Sequence, residues 1–199
     1  MKVVATILTL SMAGFLNGQS IFKLQTNIGA LLPSFTYTDA SGNSIDYNTS
    51  SGSDIRFGFL YKSSAQSSIG LGLYAGVCNI FSESKAPVST VDLSVLNFDL
   101  FANYTLGSDF LQSISIGPTI GLMTSQKQTN ENQTVTTDGF AKTHFGLYSE
   151  VLFSKFKMDQ VSANPYVFYR TTLSNVEGAD AGSENSIYSA IGLGVKISI

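Results

Sequence analysis

The chain has 199 residues but no tryptophan, one cysteine, one histidine and four prolines. A single cysteine, Cys78, excludes a disulfide within the chain and reads as a small apolar filler inside a strand. One histidine leaves no Cys/His set at metal-ligand spacing, so no metal and no cofactor is expected. Charge is scarce as well: 13 % of residues are charged, with 11 Lys and Arg against 14 Asp and Glu. That balance offers no basic patch, which argues against nucleic acid as a partner. No apolar run reaches the roughly 20 residues that a helix needs to cross a bilayer. Any membrane segment must therefore be built from strands.

What is present begins with an export leader. MKVVATILTLSMAGFLNGQS has Lys2, then an apolar run from Val3 to Leu16, then small residues before a cut expected between Gly18 and Gln19. Residues 1–18 read as a signal peptide and 19–199 as one domain.

Eighteen glycines, fourteen phenylalanines and nine tyrosines suit a protein of many strands and turns. Period-two alternation marks eight segments: 22–32, 54–62, 68–78, 96–104, 113–122, 144–153, 165–173 and 187–199. In SIGLGLYAGV the row Ile69, Leu71, Leu73, Ala75 and Val77 opposes Gly70, Gly72, Tyr74 and Gly76. Several segments reach the ~9–11 residues of a tilted membrane strand. Short connections, 62–67, 105–112 and 154–164, alternate with longer polar ones, 37–53, 79–91, 124–139 and 174–186, which read as loops.

Alternation alone does not separate a soluble barrel from a membrane barrel. The less apolar face decides it, being mostly Gly, Ser, Asn and Tyr with few charges. Such a face is a poor solvent surface but suits a crowded lumen. Eight strands enclose a space only just wide enough for side chains. Glycines then make room for Arg56, Tyr74, Tyr148, Arg170 and Lys196, and on this reading Gly72→Ser is mild. The Ile, Leu and Phe rows meet lipid. Phe35, Tyr37, Tyr104, Phe110, Phe153, Phe156 and Tyr169 fall near strand ends, where interfacial girdles form.

The inward charges are Lys23, Arg56, Lys62, Asp99, Glu150, Arg170 and Lys196. In a narrow lumen they are expected to pair, Glu150 with Arg170 and Asp99 with Arg56. Together they make a charge network that closes the lumen or, in the other use of the same residues, lines an ion path. His144, the lone histidine, reads as a hydrogen-bonded lumen or rim residue. Ser149 is expected to face lipid while Glu150 faces inward, so no Ser/His/acid set converges. Gly70-x-Gly72 lacks the third glycine and the helix of a dinucleotide fingerprint. Glu177, Asp180 and Glu184 read as a solvated acidic loop.

On its leader, on DIRFGFLYK and SIGLGLYAGV, and on the last strand SAIGLGVKISI, the chain resembles the small eight-stranded outer-membrane barrels of Gram-negative bacteria, the OmpA/OmpX-like and porin-family barrel domains. The resemblance implies an all-β, antiparallel, up-and-down transmembrane barrel in the outer membrane, placed there by the assembly machinery. It implies a non-enzymatic protein with a filled polar lumen, whose long loops serve envelope structure or contact a surface ligand. Two alternatives stay open: a small passive or gated channel, and a secreted lipocalin-like barrel binding an apolar ligand.

Overall fold

The structure is a computed structural model and describes residues 21–38, 44–47, 49–85, 88–130, 133–154, 156–158, 161–173 and 185–198. Its strands are β1 (Ile21–Thr38), β2 (Ser44–Tyr47), β3 (Thr49–Lys62), β4 (Ile69–Lys85), β5 (Val88–Thr105), β6 (Leu111–Asn130), β7 (Gln133–Phe153), β8 (Phe156–Met158), β9 (Val161–Thr172) and β10 (Asn185–Ser198). The signal peptide and the acidic residues Glu177, Asp180 and Glu184 lie outside the described residues.

β2 and β8 are short pieces that pair with β1 and β9. The other eight strands form the wall of a closed antiparallel barrel, with β10 pairing both β9 and β1. Closure satisfies the backbone donors and acceptors of the wall without leaving an edge. The ladder also fixes the stagger. From Phe22, successive partners run through Tyr61, Leu71, Ala102, Ile116, Ser149, Tyr169 and Ile191, and return to β1 at Leu32, ten residues further along. Eight strands with that shear tilt by about 40°.

Side chains alternate as the period-two pattern requires. On β5, Phe98, Leu100, Ala102 and Tyr104 are exposed, whereas Asn97, Asp99, Phe101 and Asn103 are buried. The same order holds on β4, where Leu71 is 59 % exposed and Tyr74 is fully buried. An outside of this composition is built for hydrocarbon: a chain folding in water buries such side chains, each contributing ~1.5–3 kcal/mol when buried. The fold is an eight-stranded barrel of transmembrane type.

Toward the long-hairpin end the two faces exchange character. Val91, Leu93 and Val95 of β5 and Cys78 and Ile80 of β4 point inward and are buried. Asp92 and Asn79 point outward and are exposed, with Phe81 the outward exception. Register shifts at Ser94/Val95 and Met123/Ser125 sit at the same level. The interior is therefore not polar throughout. Its upper part is an apolar core, which Leu31 and Met123 extend.

Three of the segments read as long loops are largely strand. β4 runs on to Lys85 and β5 starts at Val88; β6 reaches Asn130 and β7 starts at Gln133; β2 and the start of β3 occupy most of 44–53. The alternation fades there because the outward residues turn polar once hydrocarbon is no longer their solvent. Backbone pairing needs no apolar face and continues. Of the fourth segment, 174–184 lies outside the described residues. At the opposite end, Gly107 takes a positive φ of 68° in the turn before β6, a backbone conformation that glycine adopts without Cβ strain.

Candidate functional site

Below the apolar core the lumen is crossed by a ring of four charges. Asp54 and Arg56 stand two apart on β3, so alternation puts both inside; Asp99 comes from β5 and Arg170 from β9. These three strands are not neighbours in the wall, so their contacts span the lumen. Arg56 Nε lies 2.5 Å from Asp54 Oδ2, and its Nη1 donates to Asp99 Oδ2 at 3.4 Å. Arg170 donates through Nη1 to Asp54 Oδ1 at 3.3 Å and through Nη2 to Asp99 Oδ2 at 2.8 Å. Each arginine thus holds both carboxylates. Thr119 adds a hydroxyl donated to Asp99 Oδ1 at 2.6 Å.

A second ion pair joins Lys196 of β10 to Glu150 of β7, and the Tyr148 hydroxyl donates to Glu150 at 2.5 Å. Between the two groups lies a packed aromatic layer. Tyr74 stacks on Phe101 with centroids 4.6 Å apart, and the Tyr74 hydroxyl donates to Gln25 at 2.6 Å. The Arg56 guanidinium is held among ring faces, 4.5 Å from Phe168 and 4.9 Å from Tyr148. Asp54, Asp99 and Glu150 balance Arg56, Arg170 and Lys196, so the described core of the lumen carries no net charge. Taking these ions from water costs several kcal/mol each, which their mutual attraction offsets only when every partner is present.

Glycine makes this filling possible by close approach. A Cβ at Gly72 would collide with the ring edge of Phe101, and one at Gly121 with the imidazole of His144. Gly72→Ser is therefore not the mild change that the sequence suggests, because the space beside Gly72 is already occupied.

The sequence-predicted residues fall into three places. Arg56, Asp99 and Arg170 meet in the ring. Glu150 and Lys196 meet each other, so Glu150 takes Lys196 rather than the expected Arg170. Lys23 lies at the exposed start of β1, apart from both groups. Asp54 is the residue that sequence reasoning missed, although it shares the parity of Arg56 and opens its segment. His144 is fully buried inside, and Ser149 belongs to the outward row. His144 and Glu150 are six residues apart on one strand, roughly 20 Å. No Ser/His/acid set forms from these three residues.

No protein-family model and no curated protein sequence matches the chain. Among solved structures, it is similar to Ail, the attachment invasion locus protein of Yersinia pestis, at 11 % identity and a TM-score of 0.45, over 87 % of this chain and 97 % of that one. It is similar to the outer membrane protein OprG from Pseudomonas aeruginosa at 13 % identity and a TM-score of 0.44, over 92 % and 96 %. The outer membrane protein AlkL, determined in lipid bilayers, gives 14 % identity and a TM-score of 0.46, over 92 % and 91 %.

Proposed function

We propose that the protein is a non-enzymatic outer-membrane barrel with a sealed lumen, whose raised hairpins meet partners at the cell surface. The observation that carries this reading is the ring of Asp54, Arg56, Asp99 and Arg170, which spans the lumen with every member buried. The apolar core above it and the packed aromatic layer below it add further side-chain filling in the path of a permeating ion. The outward rows on β1, β3–β7, β9 and β10 supply the lipid-facing band, and the leader at 1–18 supplies export toward the membrane. Insertion by the outer-membrane assembly machinery goes with that location. The polar outward face of the upper β4–β5 hairpin supports contact with water-borne or surface-bound partners.

Conductance in planar bilayers tests the sealed lumen. The purified, folded protein is expected to give no stable openings under applied voltage. Reproducible unitary openings would favour the channel reading instead.

A further inference from the structure

Two of the inward charges belong to neither ion-pair group. Lys23 and Lys62 stand on the inward rows of β1 and β3 at the short-turn end, the end that faces the periplasm in outer-membrane barrels. The register pairs Lys23 with Leu60 and Ile21 with Lys62, so the lysines are diagonal neighbours whose charges act on each other. Like charges at such spacing weaken a sheet. Lys62 is nonetheless drawn into the mouth rather than out to water. Its Cγ lies 3.0 Å from where a Cβ on Gly70 of β4 would stand. From there its ammonium donates to Thr105 Oγ1 on β5 and, at 3.3 Å, to the Ser67 carbonyl. Both acceptors are neutral, and an ammonium has three donors. The inward residues alongside are neutral too: Ser113 pairs with Thr105, and Ser115 accepts from Asn103 at 3.0 Å. Glu150, which pairs with Ser115, is taken by Lys196 and the Tyr148 hydroxyl. Among these described residues the mouth gathers two positive charges and several hydroxyls, and its nearest carboxylate is already engaged.

We propose that this mouth is a binding site for one small dissolved oxyanion of the phosphate type, reached from the short-turn side. The third N–H of Lys62 and the ammonium of Lys23 meet the anion in charge-assisted hydrogen bonds, and its charge relieves the repulsion between them. The site opens into the lumen mouth and not onto the lipid-facing rows, so a dissolved anion rather than a membrane lipid is its occupant. The inference needs the closed barrel and the inward placement of the two lysines; it is independent of whether the lumen above is sealed.

The test is NMR of the folded protein with isotope-labelled lysine in phosphatidylcholine nanodiscs. Inorganic phosphate is titrated in at constant pH, with chloride holding the ionic strength fixed. The Lys23 and Lys62 side-chain signals are expected to shift together and to saturate, while that of Lys127, on the raised β6 hairpin, stays in place. Lys62→Gln is expected to raise the half-saturating phosphate concentration about tenfold, the loss of one hydrogen bond to a charged group. Lys23→Gln is expected to raise it several-fold, and at the start of β1 it leaves the barrel able to fold. Shifts that climb without saturating, or that Lys127 shares, would overturn the site. So would an unchanged half-saturation in Lys23→Gln. Shifts produced by phosphatidylglycerol nanodiscs, with none on adding phosphate, would also overturn it and assign the lysines to lipid.

Discussion

Arg170 touches both Asp54 and Asp99, so removing it strands two buried carboxylates at once. Arg170→Ala is expected to lower stability by about 3–5 kcal/mol, read from urea unfolding in liposomes. Lys23→Gln, at the exposed end of β1, is expected to stay within about 0.5 kcal/mol in the same assay. A loss below about 1 kcal/mol for Arg170→Ala would mean that water reaches the ring. Parity was enough to turn Arg56, Asp99, Arg170, Glu150 and Lys196 inward from the sequence alone. It was not enough to pair them all. Asp99 does meet Arg56, but Glu150 does not take Arg170, because alternation gives the face of a strand and not its place around the barrel. The ten-residue stagger decides which strands oppose one another across the lumen. Hence Glu150 meets Lys196, and Asp54, at the margin of its segment, went unread.

Along each strand, the exchange of faces marks where hydrocarbon gives way to water. On β4 that change lies between Val77, exposed and outward, and Asn79. Leu71→Arg, in the apolar row, is expected to destabilise by ~2–4 kcal/mol in liposomes if it lies near the midplane. Asn79→Arg, on the same outward face two positions beyond Val77, is expected to cost less than about 0.5 kcal/mol. Equal costs at the two positions would remove the boundary. The sequence yielded the apolar spans of the strands well, since lipid imposes a strict alternation there. It underread the strands beyond, where Ser, Thr and Asn on the outer face resemble loop composition while the ladder continues unbroken.

For the molecule as a whole, closure and polarity support one another. A barrel of eight strands has so narrow an interior that long residues fit only where a neighbouring strand offers glycine, as Gly72 does for Phe101 and Gly121 for His144. The same strands then present their branched and aromatic rows outward. That outward presentation is most directly examined by a cysteine scan of β5 in a Cys78→Ser background, each thiol carrying a small fluorophore and the lipids brominated along their acyl chains. Quenching is expected at Phe98, Leu100 and Ala102, with little at Asp92 and Ser94, and with Asn97 and Asn103 slow to label. Quenching at Asp92 as strong as at Leu100, or ready labelling of Asn97 with Leu100 protected, would contradict a barrel that wears its apolar face outside.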